Sequence, residues 1–342
     1  MKIIIAVCLS VGLISTARAQ SFTITENPEK KQIDISYHNK LLTSYCYYDS
    51  GRKPILFPVN TIDGITVTRG YPFAPRPGER TDHPHHSGIW LNYESVNGLD
   101  FWNNSTAIPF NKRNEYGTIL HQKVVGKKAD KDHAMLAIAA SWIRPDHKTL
   151  INEQTTFIFT VKDSSFFIDR KTTLTGDTTV LFKDAKDGMM AIRVARELEM
   201  PSKEAGSFVD NKGNVTKMDS MDNSRVTGMY HSSEGINGDS VWSTRAKWVT
   251  LSGKKDGRDI TIAMIDHPSN PGYPSYWHAR GYGLFAINPL GQKIFSKGAQ
   301  EMNLTLQKGQ SVTFRYRIII HSGKVLGDDQ INNYASEFEK FK

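Results

Sequence analysis

Val312-Thr313-Phe314-Arg315-Tyr316-Arg317-Ile318-Ile319-Ile320-His321 decides the fold class. Polar Thr313, Arg315 and Arg317 alternate with apolar Phe314, Tyr316 and Ile318. Side chains of an extended chain point to opposite faces with period two, so the stretch is a half-buried strand. Working outward, apolar or β-branched runs of the same kind recur at 22–25, 33–37, 65–68, 89–93, 135–143, 155–161, 166–174, 247–251, 260–265, 283–287 and 302–306. Turn pairs such as Asp63-Gly64, Asn97-Gly98, Asp256-Gly257 and Lys308-Gly309 punctuate them. Helical spacing shows only at the C-terminus, where Gly327-Asp328-Asp329 caps a segment with Ile331, Tyr334, Phe338 and Phe341 on one face. The expectation is an all-β protein, a large β-sandwich, with a C-terminal helix packed on its edge. Residues 206–239 are polar and rich in Gly, Ser and Asn, and read as a long loop or flap. No internal repeat, low-complexity tract or linker divides the chain, so 20–342 is expected to be a single domain.

The first nineteen residues read as a signal peptide. Lys2 supplies a positive start, residues 3–14 a short apolar stretch, and Ala17-Arg18-Ala19 a cleavage signature. The apolar run is too short to span a bilayer, and no other segment approaches that length. Cleavage after Ala19 implies a periplasmic or secreted protein. It removes Cys8 and leaves Cys46 alone, so the mature chain has no internal disulfide and must be held by its core. The formal charge of +8 is dispersed among pairs such as Lys127-Lys128 and Lys254-Lys255. A nucleic-acid partner is not expected, because that would want a basic stripe with interleaved aromatics.

Chemistry concentrates in two segments. Asp82-His83-Pro84-His85-His86-Ser87-Gly88-Ile89-Trp90 holds three of the eleven histidines within four positions. Imidazole titrates near neutrality and is a common metal ligand, so crowding of this kind points to a site. His83 and His85 share a face if the segment is extended, and they can hold either a substrate or a divalent metal. Asp82 is placed to orient one imidazole through its ring N–H. The bland alternative is a loop whose histidines bond to backbone and neighbouring aromatics.

The second segment runs from Asp266-His267-Pro268-Ser269-Asn270 to Trp277-His278-Ala279-Arg280. It reads as an irregular loop at a strand end, with the look of a ligand-binding rim. Trp277 offers a flat face and Arg280 a forked donor for carboxylate or hydroxyl oxygens. Against this, Trp277 can plug the sandwich and Arg280 can pair with an acid. Tyr93-Glu94 and Asp100 follow the first cluster and can supply a carboxylate to the same cleft. Arg193 and Arg196 sit on an apparent strand at 189–198, where period two lets only one of them look inward. Residues 183–188 read as a solvated turn. The absence of G-x-S-x-G, a Walker loop, C-x-x-C and a dinucleotide fingerprint disfavours serine-hydrolase and nucleotide-dependent chemistry.

At these residues the chain resembles a known family. Val67-Thr68-Arg69-Gly70-Tyr71-Pro72, 82–90, Asn97-Gly98-Leu99-Asp100-Phe101-Trp102, Asp266-His267-Pro268-Ser269-Asn270-Pro271 and Tyr282-Gly283-Leu284-Phe285-Ala286-Ile287-Asn288-Pro289 look like the exported bacterial family labelled "methane oxygenase PmoA", a domain family without a settled function. The resemblance covers nearly all of the mature chain. A particulate methane monooxygenase subunit is an integral membrane protein, and this chain has no segment of spanning length, so methane oxidation is not expected. Members are common in polysaccharide-degrading bacteria, which implies a carbohydrate-related role. The pattern also resembles a galactose-mutarotase-like supersandwich, an analogy at the level of fold.

The resulting expectation is an exported carbohydrate-active enzyme. His83, His85, His86, His267 and His278 are its candidate acid/base residues. Trp90, Glu94, Asn270, Trp277 and Arg280 are its candidate substrate contacts, and His83 with His85 would hold a divalent metal if one is used. The reaction is left open among hydrolysis, elimination and epimerisation of a glycoside or modified sugar. The competing reading is a non-catalytic glycan-binding module.

Overall fold

The structure, a computed structural model, describes residues 21–220 and 222–342, so the expected signal peptide lies outside the described residues. Two eight-stranded antiparallel sheets form a sandwich. The first orders Phe22–Asn27, Gln32–Tyr37, Lys40–Cys46, Ile55–Val59, Ile89–Tyr93, Gly188–Arg193, Leu284–Asn288 and Tyr276–Arg280 side by side. The second orders Met229–Ser232, Trp248–Lys255, Arg258–Asp266, Ser311–Ser322, Ser165–Gly176, Thr149–Lys162, His133–Ile143 and Thr118–Ala129.

Ser311–Ser322 lies mid-sheet, paired to Arg258–Asp266 on one side and Ser165–Gly176 on the other. Phe314, Tyr316, Ile318 and Ile320 enter the core between the sheets. Ile319 points the other way and joins Phe167, Trp248, Ile265 and the apolar face of helix Asp328–Phe338, formed by Ile331, Tyr334 and Phe338. That explains why alternation gives way to three consecutive isoleucines: where the helix covers the outer face, both faces of the strand are dry. Arg317, still alternating, is tied to Asp169 by two bonds of 2.6 and 2.7 Å and to the helix through Tyr334 O.

Three expectations are corrected. Ile65–Thr68 is not a strand and makes only isolated bridges, Asn60 to Thr66 and Thr68 to Val194. Residues 206–239 are not one long loop. They hold a hairpin, Gly206–Val209 with Val215–Met218, and then Met229–Ser232, an edge strand of the second sheet. Tyr276–Arg280, read as part of an irregular rim, is an edge strand of the first sheet. Prolines crowd its approach, which suits an edge, where one side of the ladder stays unpaired.

Candidate functional site

Alternation along the first sheet divides its two faces. Ile89, Leu91, Tyr93, Phe285, Ile287, Trp277 and Ala279 fill the core between the sheets. Trp90, Ala191, Leu284 and Ala286 turn outward and form a second apolar cluster with Trp102, Phe57, Ile55 and Cys46. The register places Trp90, Ala191, Ala286 and His278 in one row across four strands. At about 4.8 Å per strand the row is roughly 14 Å long.

The loop 80–86 caps this outer face and is held by buried arginines. Arg69, fully buried, donates from Nη1 to Asp82 O and Oδ1, both at 2.8 Å, and from Nη2 to His83 O at 2.8 Å and His86 O at 2.7 Å. Arg193 donates to Asp82 Oδ1 at 2.7 Å, and its Nη1 stands 3.3 Å from His86 Nδ1. Burial opposes ionisation of Asp82, but its bond to His83 and the charges of Arg193 and Arg69 hold its carboxyl well below the usual range. Gly88 enters the strand at φ +60°, and a Cβ there would stand 2.3 Å from Leu56 O, so only glycine fits.

His83 is the exposed member of the trio. It adopts φ 44°, an uncommon conformation for a non-glycine residue, and its Nδ1 is 2.7 Å from Asp82 Oδ2. Its ring lies nearly parallel to His86 at 4.7 Å and to Tyr282 at 5.2 Å. His86 is buried, stacked on Trp90 at 5.4 Å and edge-on to His85 at 4.3 Å. His85 is half-buried, and its carbonyl accepts from Lys53 Nζ at 2.7 Å; the same ammonium lies 5.2 Å from the Trp90 ring centroid.

Desolvation governs the electrostatics. It pushes His85 down to about 2, helped by the positive charge of Lys53, and pushes His86 well below its ordinary value, so both rings are neutral at pH 7. Burial also lowers Lys53 to about 7, with Asp100 opposing. Glu94 and Asp100 are raised, chiefly by burial, with Asp187 adding to both. His278 is lowered by burial while Asp187 works against that; its Nδ1 stands 3.3 Å from Asp187 Oδ1. Glu94 accepts from Asp187 N at 3.0 Å, so Glu94 and His278 flank the same aspartate.

Several buried polar atoms here have no hydrogen-bond partner among the described residues: His85 Nε2, His86 Nε2, Trp90 Nε1 and Asn92 Oδ1. Each such atom costs about 1–3 kcal/mol, so a group of them on one face calls for an explanation in function.

The structure gathers His83, His85, His86, Trp90, Glu94 and His278 on the outer side of the first sheet, with Arg280 and Tyr282 at its rim. It does not bring His267, Asn270 or Trp277 there. His267 follows the end of strand Arg258–Asp266 of the second sheet and packs edge-on against Phe338 of the C-terminal helix at 5.1 Å. Asn270 donates to Asp266 Oδ1 and Arg315 O, each at 2.7 Å, and accepts from Arg315 N. Trp277 is in the core and donates to Ala246 O at 3.0 Å. The expected single wall at 266–280 is therefore two structures, because the chain crosses from one sheet to the other between Asp266 and Tyr276.

His83 Nδ1 faces Asp82 and leaves Nε2 as the ring's remaining donor or acceptor, and among the described residues no three His, Cys, Asp or Glu side chains are grouped to hold an ion.

Sequence reasoning missed Lys53, Arg69, Asp187 and Tyr282. Arg69 and Tyr282 stand in motifs already singled out, but nothing in their spacing says that one props the loop and the other stacks on it. The arginines at 193 and 196 also depart from expectation. The strand breaks after Arg193 into a short 3-10 turn, Arg196–Leu198, so both guanidiniums reach Glu199, at 3.9 and 2.9 Å.

A family model described as a family of unknown function, DUF6807, matches residues 32–336. No curated protein matches. Among solved structures, the α-galactosidase AgaB of Geobacillus stearothermophilus is 13% identical over 88% of this chain and 41% of its own, with a TM-score of 0.39. The chain thus spans about two fifths of that galactosidase. A galactose mutarotase related enzyme from Lactobacillus acidophilus is 9% identical over 90% of this chain and 99% of its own, TM-score 0.29. The Slr1438 protein of Synechocystis sp. PCC 6803 is 10% identical over 92% and 100%, TM-score 0.34. The chain belongs to the DUF6807 family of unknown function.

Proposed function

We propose that the chain is an exported carbohydrate-active enzyme whose acid/base chemistry runs on the outer face of the first sheet. The observation that carries this reading is the set of unpartnered buried atoms on His85, His86, Trp90 and Asn92, beside carboxyl groups raised by burial. Neutral imidazole nitrogens, an indole N–H and an amide oxygen offer both donors and acceptors to a polyhydroxylated ligand. Glu94 supplies a carboxyl group whose hold on a proton is strengthened by burial. His278, neutral and with its Nδ1 3.3 Å from Asp187 Oδ1, supplies a base. Hydrolysis, elimination and epimerisation of a glycoside or modified sugar all need such a pair. Stacked rings at the rim provide flat faces for a sugar.

The test is turnover of a panel of glycosides and uronate-containing polysaccharides by the mature protein, followed by release of reducing ends, ultraviolet absorbance of unsaturated products and NMR of ring protons. His85→Ala and His278→Ala are each expected to lower turnover by about 100-fold or more. Unchanged turnover in both variants would end this reading.

A non-catalytic glycan-binding module is the second reading. It is favoured by the depressed values of His85 and His86, which suit fixed hydrogen-bond partners better than proton carriers. It predicts saturable binding with no product after long incubation.

A further inference from the structure

Beside the capped face lies a separate pocket of 240 Å³, lined by Arg80, Met200, Ser202, Glu204, Asp239, Trp242, Arg280 and Tyr282 among others. Arg280 is exposed and, among the described residues, its guanidinium makes no hydrogen bond or ion pair. It is held instead between two rings, 5.5 Å from the Trp242 centroid and 5.9 Å from Tyr282. Stacking of this kind fixes the plane of a guanidinium and leaves its forked donors free. Trp242 Nε1 is buried without a partner among the described residues, while Arg80 of the same lining is already engaged by Glu199 at 3.1 Å.

We propose that this pocket is a subsite for one uncharged sugar ring, seated beside the Trp242–Arg280–Tyr282 stack and gripped through its hydroxyls by Arg280, Asp239 and Glu204. The inference rests on the carbohydrate reading above and deepens it by naming the class of sugar unit. Two physical arguments support it. The volume falls below the roughly 300–1,000 Å³ of sites for drug-sized ligands, which suits a single ring. Arg80 is paired with Glu199, so Arg280 faces the two carboxylates Glu204 and Asp239 on the lining, and an anionic unit would meet more repulsion than attraction. Tyr282 is shared with His83 at 5.2 Å, so the subsite adjoins the face carrying the proposed chemistry.

Saturation-transfer NMR on the mature chain tests this with methyl β-galactoside, methyl β-glucoside and methyl β-glucuronide as probes. A neutral glycoside is expected to bind, and the glucuronide to bind at least several-fold more weakly. Trp242→Ala should weaken the neutral glycoside at least tenfold. Arg280→Lys, which keeps the charge and the fold but removes the fork, should weaken it several-fold with an unchanged thermal midpoint. Preference for the glucuronide, or equal affinity in both variants, overturns the subsite while leaving the carbohydrate reading standing. Failure of the wild-type chain to bind any of the three overturns both.

Discussion

Arg193 Nη2 donates to Asp82 Oδ1 at 2.7 Å, joining residues 111 positions apart in sequence. This bond ties a strand in the middle of the first sheet to the loop that carries His83, His85 and His86. With Arg69 on the same carboxylate oxygen, two buried guanidiniums set where the three imidazoles stand.

Arg69→Met removes the donors to Asp82, His83 and His86 and takes the guanidinium from the Asp82 and His86 carbonyls, while His83 O keeps the His86 N–H. A loss of about 3–5 kcal/mol is expected, in line with breaking a buried ion pair on one side. Urea denaturation at pH 7 checks it, and a loss below about 1 kcal/mol would contradict the bracing role.

Gly88→Ala places a methyl group against Leu56 O and demands a left-handed residue with a side chain. A destabilisation of about 2–4 kcal/mol is expected. The thermal midpoint in calorimetry reads it out, and a shift of less than a degree would mean that the strand entry can relax.

Acid should weaken the fold through His85. Its folded-state value is depressed from 6.5 to about 2, so below 6.5 the unfolded chain takes up a proton that the folded chain refuses. Stability is therefore retained above 6.5 and lost as pH falls below it, by up to about 2 kcal/mol at pH 5. Asp266, raised to about 6 by burial, acts in the opposite sense, gaining stability as pH falls from 6. The measurement is thus a difference: denaturation at pH 7 and pH 5 for wild type and His85→Asn. The variant should lose less on acidification, and equal losses would contradict the assignment.

Lys53 is pushed down to about 7 by burial over Trp90 and beneath the His85 carbonyl. After reductive methylation with carbon-13 under denaturing conditions and refolding, one lysine resonance should titrate near pH 7 and vanish in Lys53→Met. A spectrum in which every lysine titrates above pH 9 would refute this.

The architecture was largely legible in the chain. The alternation at 312–321 located a central strand, and the spacing of Ile331, Tyr334 and Phe338 located the helix, because burial on one face leaves a period in the order of the residues. Less legible were Lys40–Cys46, Ile55–Val59 and Tyr276–Arg280. They are short and flanked by turn residues, and their strand character depends on the neighbours they pair with.

For the candidate site, the sequence by itself marked the imidazole-rich segment 82–90, the carboxyl at Glu94, and His278 with Arg280. Tertiary structure alone decided that His267 and His278, only eleven positions apart, lie at different sheets, one just past the end of Arg258–Asp266 and the other within Tyr276–Arg280. It also decided that Trp277 turns into the core while its neighbour His278 turns out. The physical reason is that a strand reverses its facing at every residue and a loop can change sheets within a few, so proximity along the chain carries no information about which surface a side chain reaches.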